Sequence, residues 1–235
     1  MRILNTLQVA LKSASPTLHR LVVMSKSSSN NASSRKGRPP AEEIGLANER
    51  VLTAATELFL DLGFGRTTLD MVAKQGRVGK SVLYRRYPNK EALFEAVVHR
   101  SIKTMFDHMT DVSKLDDQHS KLQVAGEQLI EGILHPRCVA LMRITAAEAK
   151  SLPALAQKAY QVSFDGSVDY VLNALGKGRA DEKALLAARR FVELAVQPFS
   201  FQAAFDVRTD DLRRRASSTT SEVLNLLIAS GYLST

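Results

Sequence analysis

The chain has 235 residues, an apolar content of 45%, a formal charge of +8 and one cysteine. That length suits one large domain or two small ones with a sizeable core, and a single thiol excludes an internal disulfide. No apolar stretch reaches the roughly 18 residues that cross a bilayer, so no membrane partner is expected.

The charge is unevenly placed. Residues 1–100 hold sixteen Lys and Arg against eight Asp and Glu, while residues 101–235 hold sixteen of each. A basic part joined to a charge-balanced part points to a module for a polyanion attached to a module for something else.

In chain order, residues 1–24 carry Arg2, Lys12 and Arg20 and no acid. They read either as a targeting peptide or as the product of an early start, with Met24 the alternative first residue. The following Ser/Asn-rich run, up to residue 41, is expected to be a disordered basic extension. It ends in Arg35-Lys36-Gly37-Arg38-Pro39, a composition suited to an arm in a narrow minor groove, with Arg38 the candidate contact.

Order is expected from about Glu42. Val51, Leu52, Ala55, Leu58, Phe59 and Leu62 recur on one helical face, and Gly63 follows as a stop. A short helix then starts near Thr67, which can cap it with Asp70 as the acidic partner of a capping box. Leu69, Val72 and Ala73 form its buried side, and Gly76 ends it.

The stretch "GRVGKSVLYRRYPNKEAL" (76–93) supplies a tight turn and a second short helix beginning at Gly79. Two short helices around such a turn are a helix-turn-helix, whose second helix enters the major groove. Leu83 and Tyr87, at i and i+4, hold this helix to the core. Lys80, Ser81, Val82, Tyr84, Arg85 and Arg86 are left for the outer surface, where they can offer cations to phosphates, a forked donor to guanine and a methyl-bearing side chain to thymine. Pro88 stops the helix. Asn89 caps the next, and Lys90 in its first turn reads as a phosphate clamp.

Residues 45–98 resemble the DNA-binding domain of the tetracycline-repressor (TetR) family of bacterial transcription regulators. The resemblance rests on Gly63-Phe64, Thr67-Thr68, Val72-Ala73 and "VGKSVLYRRYPNKEAL". It implies that Thr68, Lys80, Ser81, Val82, Tyr84, Arg85, Arg86 and Lys90 face DNA. Three positions depart from the family pattern. Arg77 replaces a glycine and cannot supply a relaxed positive φ, Gly79 replaces the capping serine, and Val82 replaces a small polar residue.

The remainder reads as helices: a long one from about 89 to 109, then about 118–134, 137–150, 153–176, 181–204 and 210–229. Pro136 and Pro153 suit first turns, "GKGRAD" (176–181) is a loop, and strand signals are absent. Cys138 lies in an apolar run and reads as a buried structural thiol, consistent with a reducing, cytoplasmic location.

The fold class is therefore all-α, with a basic extension over 1–41, a three-helix helix-turn-helix domain over 42–98 and a helical domain over 99–235. The segment "RITAAEAKSLPALAQKAYQ" resembles the ligand-binding domain of one TetR subgroup. The resemblance implies an effector cavity between helices and a homodimer. Among the apolar residues Phe106, Met109, Leu141, Met142, Tyr160, Phe164, Phe199, Phe201 and Phe205, most are core. Phe106, Met109, Met142, Phe164 and Gln202 are the candidate ligand contacts, with Arg143 and Glu148 as further polar candidates. Leu185, Ala188, Val192, Ala195, Leu212, Val223 and Leu227 form the expected dimer face.

The expected function is a sequence-specific transcriptional regulator, most simply a repressor. It would bind palindromic double-stranded DNA as a dimer and leave it on meeting a small, largely apolar effector. The alternative is an effector-independent architectural DNA-binding protein. Phosphate-loop, dinucleotide, zincin and nucleophile-elbow motifs are all missing. Asp107, His108 and Asp111 read as a solvated helix face, so neither an enzyme nor a cofactor or metal is expected.

Overall fold

The computed structural model describes residues 41–233, so the expected extension, with Arg38, Met24 and the segment before it, lies outside the described residues. Among the described residues there is no strand. The α-helices are α1 (Ala41–Arg66), α2 (Leu69–Gln75), α3 (Lys80–Arg86), α4 (Lys90–Asp107), α5 (Gln118–Ile133), α6 (Pro136–Ala147), α7 (Pro153–Ala174), α8 (Glu182–Phe191), α9 (Gln197–Ala204) and α10 (Thr209–Ala229). A 3-10 turn (Val112–Lys114) and a π turn (Val192–Val196) had no distinct signature in the sequence. Residues from Ala47 onward pack as one compact unit.

The apolar face of α1 is buried as its spacing requires, with Leu62 at its edge. Gly63 (φ 76, ψ 174) breaks the regular helix in a conformation that costs a glycine little, and Phe64 turns back into the core. Its ring lies 5.9 Å from Phe59 and 5.2 Å from Phe94, and Phe59 meets Phe94 edge-on at 4.8 Å. This triad joins α1 to α4, and the same core continues into Leu141 of α6 and Ala159 of α7.

The start of α2 corrects one expectation. Thr68, not Thr67, is the N-cap, accepting from the Met71 amide at 3.3 Å. Thr67 is buried, and its hydroxyl donates to the carbonyls of Leu58 (3.1 Å) and Gly63 (2.8 Å). With Thr68 as the cap, Asp70 falls at N2 rather than N3, so no capping box forms, and its carboxylate bonds to α3 instead. In the turn, Gly76 is right-handed at φ −75, and Arg77 takes the left-handed position at φ 51. The strain expected of that replacement is therefore present.

The charge-balanced half is built around α5, which packs along α10. Gly126 makes this approach possible, since a Cβ there would lie 2.6 Å from Thr220 Cγ2 and 2.8 Å from Phe191 Cζ. Pro136 and Pro153 open their helices as expected. The run expected as one helix over 181–204 is interrupted by the π turn, in which the Gln197 amide reaches back to the Val192 carbonyl. Pro198 follows at once, and its missing N–H is tolerated at this new helix start.

Two substitutions separate these backbone effects. Arg77→Gly should stabilise the chain by about 0.5–1 kcal/mol through relief of the left-handed strain. Gly126→Val should destabilise it by about 1–3 kcal/mol through overpacking. Thermal melting of the two variants beside the parent chain checks both signs.

Candidate nucleic-acid interface and effector cavity

Helix α3 has seven residues, too few to persist without tertiary support. Leu83 is buried in the core, and the Tyr87 hydroxyl donates to Asn48 Oδ1 of α1 at 2.7 Å. Gly79 caps the helix with its backbone alone. With that face anchored, Lys80, Ser81, Val82, Tyr84, Arg85 and Arg86 are all exposed. Val82 and Tyr84 are 42% and 45% exposed, high values for apolar and aromatic side chains with no role at a surface.

Asp70 organises part of this surface. The Lys80 ammonium donates to its Oδ2 at 2.6 Å, and the Tyr84 hydroxyl donates to its Oδ1 at 3.2 Å. The Lys80 bond holds the Asp70 carboxyl below the usual range, and Asp70 in turn raises Lys80. Sequence reasoning missed this role because Asp70 and Lys80 sit on different helices, where no local spacing relates them. Arg85 forms no ion pair among the described residues, and the Arg86 guanidinium lies 6.0 Å from the centre of the Tyr87 ring.

Two further candidates do structural work. Thr68 is exposed, but its hydroxyl caps α2. Lys90 is not a free clamp. Its ammonium donates to the carbonyls of Phe64 (2.8 Å) and Gly65 (3.1 Å) and stands 4.4 Å from the centre of the Phe64 ring. It ties the end of α1 to the start of α4, where Asn89 caps as expected by accepting from the Ala92 amide at 2.8 Å.

In the second half, a cavity of about 270 Å³ opens between α4, α6, α7 and α9. Val98, Ser101, Ile102 and Met105 of α4 form one wall, and no charged side chain lines it among the described residues. Of the five candidate contacts only Met142 belongs there. Phe106 is core, filling the space beside Gly166. Phe164 is buried beneath the Arg189 guanidinium at 5.2 Å. Met109 lines a different cavity. Gln202 is spent on the Pro198 carbonyl and on Arg215. Arg143 binds the Ala203 carbonyl and Asp206, and Glu148 ends α6.

Ser101, Cys138, Thr145, Tyr160, Ser163, Gln197 and Ser200 line the cavity and were not assigned to it from sequence. The helical spacing of Val98, Ser101, Ile102 and Met105 was the available signal. Cys138 is half-buried rather than fully so, and burial pushes its thiol up. Tyr160, Phe201 and Phe205 are exposed at 57%, 67% and 72%, not core.

The expected dimer face is also corrected. Ala188, Val192, Ala195, Leu212, Val223 and Leu227 are buried within the single chain, and Leu185 is half-buried. Among the described residues no cluster of His, Cys, Asp or Glu could hold a metal, and no helix is long and apolar enough to cross a membrane.

The family of bacterial regulatory proteins of the tetR type matches residues 51–97, and the AefR-like transcriptional repressor C-terminal domain matches residues 120–229. Among curated proteins, a segment is 42% identical over 55 residues to the uncharacterised helix-turn-helix regulator YhgD of Bacillus subtilis, covering 23% of this chain and 29% of that one. Another is 28% identical over 102 residues to the transcriptional activator FasR of Mycolicibacterium smegmatis, covering 43% of this chain and 45% of that one. The matches thus span less than half the length of these relatives.

Among solved structures, a TetR-family regulator from Mesorhizobium loti shares the fold at a TM-score of 0.65 and 20% identity, covering 78% of this chain and 97% of that one. The flavonoid-responsive regulator FrrA does so at 0.59 and 24%, covering 77% and 97%. The two family models together take in most of the chain, which places α2–α3 as its helix-turn-helix and the helices beyond α4 as its companion domain. The chain belongs to the TetR family of DNA-binding transcriptional regulators.

Proposed function

We propose that this regulator is a ligand-responsive repressor that binds a palindromic operator as a homodimer and is released by a small, largely apolar effector. The observation that carries the reading is the exposed surface of α3. Ser81, Val82, Tyr84, Arg85 and Arg86 project from a helix whose opposite side is fixed by Leu83 and Tyr87. Arg85 suits bidentate contact with guanine, Val82 a thymine methyl, and Lys80 and Arg86 phosphates. Repression is supported by the match of the second half to a repressor domain. The 42–98 domain serves DNA, and the 99–235 domain serves effector and partner in the cytoplasm.

Coupling runs through α4, which begins beside the helix-turn-helix and supplies one wall of the cavity. A ligand there bears on α4 and changes the separation of two recognition helices, which must lie about 34–36 Å apart to enter successive major grooves. Linkage then makes effector and operator weaken one another by the same factor, typically about 5–150-fold.

For the dimer, the surface that fits is formed by side chains left exposed in one copy: Leu186, Leu194, Phe201 and Phe205, with Leu226 on α10. Leu186 lies on α8, Leu194 in the π turn, Phe201 on α9 and Phe205 at its C-cap, so all four belong to consecutive elements. The Phe201 and Phe205 rings meet at a tilt, 4.8 Å between centres.

Two DNA-surface variants test the first part. Arg85→Ala should cost about 1–3 kcal/mol and relax the preference at one base pair per half-site. Asp70→Asn should free Lys80 for phosphate. Binding to random DNA should then strengthen, and the slope of log affinity against log salt should steepen by roughly 0.9 per half-site. Anisotropy titrations at several salt concentrations read both, and a uniform loss across sequences for Arg85→Ala would assign that residue to phosphate instead. For the dimer, Phe201→Ser with Phe205→Ser should yield monomers in sedimentation equilibrium while the helical content is kept.

A further inference from the structure

The effector cavity has a neighbour of opposite character. A second cavity, of about 600 Å³, is lined from α1 by Thr56 and otherwise by α4, α5 and the start of α6. Ser101, Met105 and Cys138 line both cavities, so they form the wall between them. That wall is soft, with two small side chains and one unbranched thioether that changes rotamer readily. Burial keeps the Cys138 thiol protonated at neutral pH, so the wall carries no charge.

The first cavity offers no counter-charge to an anion, whereas the second does. Its one carboxylate, Glu131, is already held by Arg213 at 2.9 Å, and its Arg100 is held by Glu49 at 2.9 Å. Arg137 is exposed and forms no ion pair among the described residues. Beside it, His135 Nδ1 accepts from the Arg137 amide at 3.3 Å. The imidazole proton is therefore on Nε2, which makes that atom a donor. A guanidinium and an imidazole N–H beside the first turn of a twelve-residue helix suit a carboxylate. A carboxylate confined to the first cavity alone would be buried without a partner.

We propose that the two cavities form one site for an amphipathic monocarboxylate, its apolar body in the first and its carboxylate on Arg137 in the second. This rests on the effector reading above and adds to it the charge of the ligand and the residue that recognises it.

The test is calorimetry on the full chain without DNA, using 4-phenylbutyrate and its neutral isostere 4-phenylbutyramide. One molecule of the acid should bind per chain, about tenfold or more tighter than the amide, as expected for a hydrogen bond to a charged group. Arg137→Gln should abolish that preference, weakening the acid by far more than the amide. Met142→Phe, which fills the first cavity, should weaken both compounds. Melting curves confirm that each variant is folded. Equal binding of acid and amide, two acids per chain, an acid preference that survives Arg137→Gln, or no binding of either compound would overturn the proposal. Operator release is read separately by anisotropy. An acid that binds with the expected preference yet leaves the operator complex intact would sink the effector reading and leave the joined site standing.

Discussion

The DNA-reading surface depends on how a seven-residue helix is held. Helix α3 has no side-chain cap and too few residues to be stable alone. It persists because Leu83 is buried in the shared core and Tyr87 bonds to Asn48 across to α1. Those two anchors decide which side chains point outward. Moving either would rotate Arg85 and Val82 away from any groove. Removing the Leu83 side chain beyond Cβ would cost about 2–5 kcal/mol, a large part of a typical stability margin.

The anchors are effective because α1 and α4 are themselves joined. The Phe59–Phe64–Phe94 triad packs the two helices, and the Lys90 ammonium closes the turn over Phe64. Helix α4 is then rigidly part of the helix-turn-helix at one end and a cavity wall at the other. In the proposed function, a ligand contact at Ser101 or Met105 would be passed along this helix toward Lys90.

Much of this was legible in the residue order. The stripe Val51–Phe59, the glycine stop, the Leu83/Tyr87 pair and the two helix-opening prolines each have a local physical cause. The fold class and the outward set on α3 follow from them. What escaped were pairings between elements. The bond between Asp70 and Lys80, the hold of Lys90 on two carbonyls and the burial of Thr67 beneath α1 all join residues distant in sequence. The apolar stripe containing Ala188, Val192 and Leu227 was read as a partner's surface, yet it is spent inside the chain. Periodicity shows that a face is apolar but not what covers it. The cavity was missed for the same reason: its lining includes serines, a threonine and a glutamine that look like ordinary helix residues until the helices meet.

The central claim is that α3 reads base sequence for a DNA-binding regulator. Its most direct test is selection from a random duplex pool by the purified chain, followed by sequencing. The account predicts enrichment of a single inverted-repeat motif whose half-site centres lie about one helical turn, or a multiple of it, apart. Retention of DNA without any enriched motif would contradict it and would leave the chain a sequence-blind binder of phosphates.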